Sequence, residues 1–308
     1  MRVLVLGGGG FIGSHLVDDL LAAGHKVRVY DRSADLYRSP FANVDYRFGD
    51  FSDSPSLAEA LEGVEVVYHL ISTTVPSTSN LDPVNDIQGN LINTVRLLQL
   101  MIHKNIRRIV YLSSGGTVYG IPKSVPIPES HPLRPICSYG VVKVAIENYL
   151  VMFHHLHGLE YVVLRASNPY GERQGHSGVQ GVIGTFIEKL LAGESIEIWG
   201  DGSVVRDFIY VGDLVALCVL AGEKNVSGIY NAGSGVGYSI NDVVGILSAV
   251  TGMRIAPDYK VGRGYDVSKI TLDISGTKSM FDWLPLVGLE NGIESTWRWQ
   301  ANEHGKCK

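Results

Sequence analysis

Two side chains four residues apart, Tyr139 and Lys143, could together perform acid–base chemistry. Residues at this spacing lie on one face of a helix, so the lysine ammonium can favour the ionised form of the phenol. A free phenol has a pKa of about 10 and is a poor base at neutral pH. A phenol held beside a lysine, and close to a positively charged nicotinamide, can exchange a proton near pH 7. The pair becomes informative through a second pattern at the start of the chain.

A glycine-rich segment follows a short apolar run at the N-terminus. The run Arg2–Leu6 is predicted to be a buried parallel strand, and the segment from residue 11 to about residue 23 is predicted to be a helix. Between them, Gly7, Gly10 and Gly13 suit a tight turn in which the backbone approaches a pyrophosphate at the helix N-terminus. The pattern predicts a dinucleotide-binding unit.

An acidic residue, Asp31, ends the next apolar run, about 18 residues beyond the last of these glycines. A carboxylate at this place can accept hydrogen bonds from the adenosine ribose hydroxyls. Its charge would repel a 2′-phosphate, so NAD is predicted as the cofactor. Arg32 keeps NADP open, because an arginine there could bind that phosphate.

Further motifs follow one another along the chain. They are Gly7-x-x-Gly10-Phe11-Ile12-Gly13, Gly49-Asp50-Phe51, His69-Leu70-Ile71-Ser72, Asn90, Ser113–Gly120, Tyr139 with Lys143, and Leu164–Gly171. With these motifs, nearly the whole chain resembles the extended short-chain dehydrogenase/reductase superfamily, in its nucleotide-sugar epimerase/dehydratase branch. The resemblance implies a Rossmann-like α/β fold, bound NAD and a nucleotide-sugar substrate.

The resemblance also implies which residues contact the cofactor. They are Gly7, Gly10, Phe11, Ile12, Gly13, Asp31, Arg32, Asp50, Phe51, Leu70, Asn90, Tyr139 and Lys143. The segment with Asp50 and Phe51 corresponds to the one that reaches the adenine. No metal site is expected, because the three cysteines, at positions 137, 218 and 307, form neither a metal motif nor a disulfide framework.

A second lobe is expected to bind the substrate. Arg206 and Arg263 match family positions that contact the pyrophosphate, and Asp266 matches an acid that meets the nucleoside ribose. Arginine suits phosphate because its planar fork pairs bidentately with the oxygens. Asn168 is expected to donate to a phosphate or a sugar hydroxyl.

One position departs from the family pattern. Most members carry a serine or threonine three residues before the valine of Val118-Tyr-Gly, and this chain has Gly115 there. Ser114 and Thr117 are the available catalytic hydroxyls. On a strand-like segment Thr117 would share the face of position 115, so Thr117 is preferred as the replacement. The alternative is that both hydroxyls only satisfy nearby backbone groups.

The apolar pattern predicts strands that alternate with helices, which is typical of a doubly wound parallel sheet. Strands are predicted at 2–6, 27–30, 44–48, 65–70, 108–112 and 161–165, and helices at 11–23, 55–62, 84–104 and 138–157. Beyond residue 167 short strands are predicted at 196–199, 206–210 and 228–231, with helices at 180–192, 212–222, 239–251 and 288–301. We therefore expect an NAD-binding Rossmann domain over 1–167. Residues 168–308 are expected to form mainly a smaller α/β substrate-binding lobe, with segments that can return to the first domain. The polar stretch 72–82 is expected to be a mobile loop over the cofactor.

Composition limits the class of protein. The 308 residues are 45% hydrophobic and include 36 glycines, as in a packed α/β enzyme. A net charge of −5 gives no reason to expect nucleic-acid binding. The sequence lacks an apolar run of the ~20 residues that a membrane span needs, and it enters a predicted strand at once, which leaves no room for a signal peptide. A cytoplasmic protein is expected, and the resemblance implies a homodimer formed through two helices that include the one bearing Tyr139.

The resemblance implies a nucleotide-hexose 4-epimerase of UDP-hexose type, active in sugar-nucleotide and cell-surface polysaccharide biosynthesis. A 4,6-dehydratase is disfavoured, because Gly116-Thr117 stands where that branch has an acid–base pair. An NAD(P)H-dependent 4-keto-6-deoxyhexose reductase, such as one that makes a dTDP-6-deoxyhexose, would use the same Tyr/Lys pair and stays open. A non-catalytic NAD-binding sensor is the remaining alternative, although it would need neither Tyr139 nor Lys143.

Overall fold

The chain divides into two compact units. The computed structural model describes residues 1–35, 37–174, 181–262 and 267–306. The first unit comprises 1–120, 132–165 and 215–230, and the second comprises 121–131, 166–214 and 231–308. The sequence predicted a single division after residue 167. The observed units differ from it in two segments, since 121–131 belongs to the second unit and 215–230 belongs to the first.

The elements alternate along the chain as the apolar pattern predicts. The strands are β1 (Arg2–Leu6), β2 (Lys26–Asp31), β3 (Asp45–Phe48), β4 (Val66–His69), β5 (Arg108–Ser114), β6 (Glu160–Ala166), β7 (Asn168–Tyr170), β8 (Glu197–Trp199), β9 (Val205–Tyr210), β10 (Gly228–Ala232), β11 (Gly237–Ser239), β12 (Asp258–Lys260) and β13 (Lys269–Ile270). The helices are α1 (Phe11–Ala22), α2 (Ser54–Ala60), α3 (Pro83–Asp86), α4 (Asn93–His103), α5 (Ser138–His157), α6 (Val182–Leu191), α7 (Val211–Glu223), α8 (Ile240–Thr251), α9 (Ser275–Phe281) and α10 (Leu289–Lys306). A π-helical segment, Ile87–Ile92, joins α3 to α4, so the helix predicted over 84–104 is continuous but widened in its middle.

The main sheet has seven strands in the order β10-β6-β5-β4-β1-β2-β3. The strands from β3 through β2, β1 and β4 to β5 pair in parallel. Residues Val3–Leu6 of β1 are fully buried, because helices cover both faces of a doubly wound sheet. Strand order reverses between β1 and β4, and ligands bind outside the carboxyl ends of the strands at such a switch point. The predicted fold class is confirmed.

The second unit is built around smaller sheets. Strand β9 pairs with β11, β13 and β7, and β12 pairs with β8. Helix α10 packs on α6 and α8, where Leu289 and Ile293, one turn apart, enter a buried cluster with Ile183, Phe186 and Leu247. Within the described residues, no helix is both long and apolar enough to cross a membrane.

Two features differ from the sequence expectations. The strand expected at 228–231 in the second lobe is β10, which extends the main sheet beside β6. The strands β7, β11, β12 and β13 and helix α9 were not predicted. These strands have three residues or fewer, too short for a period-two pattern to stand out from a loop.

Candidate active site

The turn between β1 and α1 can be built only with glycine at two positions. Gly7 has a φ of +83°, and its N–H donates to the Tyr30 carbonyl at 2.9 Å. A Cβ on Gly13 would lie 2.0 Å from the Gly7 carbonyl oxygen. Gly10 precedes the first turn of α1, and no described side chain caps that helix. The N–H groups of the first turn are therefore available to an anion such as a pyrophosphate.

Asp31 is held in a fixed orientation at the end of β2. Its carboxylate accepts hydrogen bonds from the backbone N–H of Gly9 at 3.0 Å and of Arg32 at 2.7 Å. The carboxylate borders a cavity of about 780 Å³ in the first unit. The predicted cofactor residues that line this cavity are Gly7, Gly10, Asp31, Arg32, Asp50, Phe51 and Leu70. The remaining ones, Phe11, Ile12, Gly13, Asn90, Tyr139 and Lys143, are not among its lining residues.

Asn90 contacts a loop rather than the cavity. Its Oδ1 accepts from the Thr73 N–H at 2.8 Å, and its Nδ2 donates to Thr74 Oγ1 at 3.2 Å. Both partners belong to the segment after β4, of which Thr73 lines the cavity. The structure thus gives the buried Asn90 the role of holding the cavity wall.

Asp86, which the sequence analysis missed, ties this wall to the start of helix α5. Its fully buried carboxylate accepts from Thr74 Oγ1 at 2.6 Å, from Asn90 Nδ2 at 2.9 Å and from Ser138 Oγ at 2.6 Å. Further along the same stretch, Ser79 Oγ accepts from the Tyr139 N–H at 3.1 Å. The segment expected to be a mobile loop is therefore bonded to the start of α5. An acid four residues before Asn90, on one helix face, was the available signal.

Tyr139 and Lys143 share a face of α5, as their spacing predicts. The Lys143 Nζ lies 5.3 Å from the centre of the Tyr139 ring and 4.8 Å from the centre of the Tyr111 ring, and it donates to the Leu112 carbonyl at 3.0 Å. Burial lowers the pKa of the Lys143 ammonium to about 8, against the opposing charges of Glu147 and Asp86. The lysine therefore still carries its proton at neutral pH.

The protein's own groups favour the protonated form of the Tyr139 phenol. Removal from water raises the pKa of Tyr139 to about 12, and a hydrogen bond from the Ser72 hydroxyl only partly offsets this. Desolvation of the phenolate is the largest cause, and the negative charge of Asp86 acts in the same direction. The protein's own groups thus keep Tyr139 protonated at neutral pH.

The loop after β5 is a turn, so the strand-like geometry used to prefer Thr117 is wrong. The backbone N–H groups of Thr117 and Val118 both donate to the Ser114 carbonyl, at 3.2 and 3.1 Å. The Thr117 Oγ1 is buried and has no hydrogen-bond partner among the described residues. An unsatisfied buried hydroxyl is costly, so this atom is suited to a bound ligand. The structure therefore gives a different reason to prefer Thr117.

The second unit has a cavity of about 570 Å³. Arg206 lines it, and the Arg206 Nη1 donates to the Val205 and Val267 carbonyls at 2.9 and 2.7 Å. Asn168 lines the same cavity, and its Nδ2 donates to the Asp207 carbonyl at 2.8 Å. Further lining residues are Phe186, Lys189, Glu197, Ile198, Trp199 and Phe208. Two predicted substrate residues, Arg263 and Asp266, lie outside the described residues.

The surroundings of the two cysteines that the structure describes disfavour their thiolate forms. Burial raises the pKa of the Cys137 thiol and raises that of the Cys218 thiol to about 12. In the part of the chain that the structure describes, no group of three or more His, Cys, Asp or Glu residues could hold a metal ion.

Comparisons with known proteins agree with this geometry. A model of the NAD dependent epimerase/dehydratase family matches residues 3–233. The chain is 36% identical to a UDP-glucose 4-epimerase of Mycolicibacterium smegmatis, over 96% of this chain and 97% of that protein. The crystal structure of a UDP-glucose 4-epimerase from Thermotoga maritima with UDP-glucose has a TM-score of 0.94 and 36% identity, and covers 98% of this chain and 99% of that one. A Thermus thermophilus UDP-glucose 4-epimerase in complex with NAD has a TM-score of 0.90 and 33% identity, with 97% and 98% covered.

Proposed function

Because the chain belongs to the NAD-dependent epimerase/dehydratase family, we propose that it is a UDP-hexose 4-epimerase that retains NAD. The observation that carries the proposal is the buried Lys143 beside Tyr139 on α5, in a chain whose whole length matches UDP-glucose 4-epimerases. The relatives favour this activity over a 4-keto-6-deoxyhexose reductase. The intact acid–base pair argues against an NAD sensor.

The first unit fits NAD. The turn around Gly7 is too tight for a Cβ on Gly13, and α1 offers uncapped N–H groups to the charge of a pyrophosphate. Asp31 is fixed where it can accept from ribose hydroxyls. When bound, NAD supplies the hydride acceptor, the hydride donor of the return step and the positive charge of its nicotinamide.

Tyr139 and Lys143 would handle the proton of the reaction. Tyr139 must lose its phenol proton before it can act as a base, and the protein alone keeps the pKa of that phenol at about 12. The Lys143 ammonium favours the phenolate, and a further positive charge nearby would favour it more. As phenolate, Tyr139 takes the proton from the C4 hydroxyl while C4 is oxidised to a ketone. It returns this proton when the opposite face of C4 is reduced.

The second unit would bind the UDP part of the substrate. Arg206 presents a cation to its cavity, which suits the diphosphate, and Asn168 offers an amide to a phosphate or sugar hydroxyl. Apolar and aromatic side chains, among them Ile198 and Trp199, give the base a surface on which to pack.

Assembly, compartment and pathway are further parts of the proposal. A homodimer through α5 and the helical segment before α4 is supported by exposed apolar side chains, which are Val141 (54%), Met152 (39%) and Leu156 (66%) on α5 and Ile87 (41%) and Ile92 (39%) on the π-helical segment. Light scattering should show Leu156→Glu as a monomer and a control in the second unit, Met280→Glu, as a dimer.

We further propose a cytoplasmic enzyme that supplies sugar nucleotides for cell-surface polysaccharides.

The proposal is tested by incubating the purified protein with UDP-glucose, UDP-galactose, UDP-N-acetylglucosamine, and dTDP- and GDP-hexoses. NMR should show interconversion of the C4 epimers of a UDP-hexose without added cofactor, and the protein's absorbance should show retained NAD. Stoichiometric consumption of NAD(P)H with a 4-keto sugar, without epimerisation, would establish the reductase instead.

A further inference from the structure

A fully buried ion pair lies behind the active-site loop of the first unit. The Arg165 Nε lies 3.2 Å from both carboxylate oxygens of Glu147, and the Arg165 Nη2 lies 2.7 Å from Oε2. The exposed fractions of the two side chains are 3% and 2%. Replacing such a pair by apolar residues of similar volume is often neutral or stabilising. Stability alone therefore gives no reason for these charges.

The ion pair contacts the active-site loop at both of its ends. At the first end, the Ser113 Oγ donates to the Glu147 carboxylate at 2.5 Å. At the other, the Arg165 Nη1 donates to the Tyr119 hydroxyl at 3.0 Å, and the guanidinium lies 5.0 Å from the centre of that ring. The two candidate hydroxyl residues lie between these anchors, so the pair fixes the segment that carries them.

Glu147 also acts on the catalytic lysine. It follows Lys143 by one helical turn on α5, and its negative charge raises the pKa of the Lys143 ammonium against the effect of burial. Lys143 in turn donates to the carbonyl of Leu112, the residue before Ser113. One carboxylate is thus connected to both the loop and the lysine.

We infer that Glu147 and Arg165 are positioning residues for the proposed epimerase reaction, which hold the loop from Ser113 to Tyr119 against the helix that bears Lys143. The inference rests on the proposed function, since it assigns the two residues to that reaction. Both side chains are almost fully buried behind the loop, so they act through their neighbours. A displacement of about 1 Å of catalytic groups can cost about 10²-fold in rate.

Several charged or titratable groups face Lys143. They are His69 on β4, Asp86 on α3, Tyr111 on β5, and Tyr139 and Glu147 on α5 itself. Burial holds the pKa of His69 at about 3, so this ring is neutral at working pH. Among the groups that raise the pKa of the ammonium, Glu147 has the largest effect and Asp86 the next. Loss of the Glu147 charge is therefore expected to be visible in the titration of Lys143.

The test is Glu147→Gln, which keeps the shape of the side chain and removes its charge. We expect kcat for UDP-galactose to fall by about 10- to 100-fold, with KM unchanged, because the loop is misplaced while the second unit is intact. The alkaline limb of the kcat profile should move to lower pH, because Lys143 loses its proton more readily without the carboxylate. The pKa of Lys143 can also be measured without turnover, by following its ¹³Cε resonance by NMR as the pH is changed. The midpoint of this titration should likewise move to lower pH.

A control variant and a double variant distinguish an effect on the loop from a general loss of the fold. Glu160→Gln removes a carboxylate that pairs with Arg108 at 2.9 Å, away from the loop, and should leave both pH profiles unchanged. The double variant Glu147→Gln/Arg165→Met leaves neither half of the ion pair as an unpaired buried charge, so it should fold even where the single one does not. We expect it to remain slow.

Wild-type kcat and an unmoved lysine titration in either Glu147 variant, with only a change in melting temperature, would show that the pair is merely structural. The wild-type rate separately tests the proposed function. If the wild type does not epimerise, that function fails, while the lysine titration still reports on the ion pair.

Discussion

The two cavities of this chain are built from different materials. In the first unit the backbone of a glycine turn and the N-terminus of α1 form one wall, and the close approach of Gly13 to the Gly7 carbonyl leaves no space for a Cβ. In the second unit side chains such as Arg206, Phe186 and Trp199 form the surface, and they come from β9, α6 and β8. Both can accept a phosphate group, the first through N–H dipoles and the second through a formal charge.

The two units also treat buried charges differently. In the second unit, Asp207 is fully buried and accepts four hydrogen bonds, two from Ser234 and one each from Gly235 and Leu272. In the first unit, the buried Lys143 donates to one carbonyl and otherwise faces aromatic rings and more distant carboxylates. Burial shifts the pKa of both groups, upward for Asp207 and downward for Lys143. Asp207 is enclosed by donors and holds its surroundings together, whereas Lys143 lies beside the Tyr139 ring, where its charge can act on the phenol.

The largest effect should follow from removing the proposed base in the first unit. Tyr139→Phe keeps the packing of the ring and deletes the ionisable oxygen, so kcat should fall by roughly 10²–10⁴. UDP affinity, measured by calorimetry, should be unchanged, because the second unit is untouched. Near wild-type turnover would remove Tyr139 from the mechanism.

The next largest effect should distinguish the two loop hydroxyls. Thr117→Val keeps the shape of the side chain and deletes the buried, unpartnered Oγ1, so kcat should fall by roughly 10²–10³ if that hydroxyl donates to developing charge. Ser114→Ala should cost less. The reverse order, in parallel kinetic assays, would transfer the role to Ser114.

A smaller effect should come from the second unit. Arg206→Ala should weaken UDP-sugar binding by about 1.5–3 kcal/mol, the range for a hydrogen bond to a charged group. NAD content should be unchanged. Arg206→Lys keeps the charge but loses the planar guanidinium that pairs bidentately with phosphate, so it should recover only part of the affinity. Calorimetry that finds the alanine variant as tight as wild type would show that the cavity binds something else.

The sequence predicted the glycine turn of the first unit better than the buried polar contacts of the same unit, for a physical reason. Gly13 must be glycine because a Cβ would meet the Gly7 carbonyl. A requirement of this kind fixes the residue type and its spacing, so it can be recognised in the sequence. The contacts of Asp86 and Glu147 depend on side chains that meet only after the chain has folded. Their sole local signal is a four-residue spacing to Asn90 and to Lys143, which many solvated helix faces share.

Local spacing could not show the effects of burial on Tyr139, and it gave the wrong backbone geometry for the loop after β5. Helix spacing placed Lys143 beside Tyr139 correctly, but it could not show that desolvation raises the pKa of the phenol to about 12. Similarly, the loop after β5 was expected to keep strand geometry. Its backbone instead turns onto the Ser114 carbonyl, and Thr117 remains the preferred hydroxyl only because its oxygen is buried without a partner.

The smallest predicted effect concerns the stability of the folded protein, which the buried charge of Lys143 lowers. Burial lowers the pKa of Lys143 from 10.5 to about 8, so the folded state binds this proton less tightly than the unfolded state does. Below pH 8 both states are protonated, and the buried charge destabilises the fold in full. Between pH 8 and about 10.5 the folded state loses the proton first, so the penalty fades as the pH rises.

Lys143→Met keeps the apolar stem of the side chain and removes the charge. In protein freed of NAD, its melting temperature at pH 7 should therefore exceed that of wild type by a few degrees, on the order of 2–4 °C for each kcal/mol. The gain should shrink as the pH approaches 10. Lys278→Met, an exposed lysine of the second unit, should change the melting temperature little at either pH. A gain that is equal at both pH values, or a loss at pH 7, would show that Lys143 is not buried at the expense of stability.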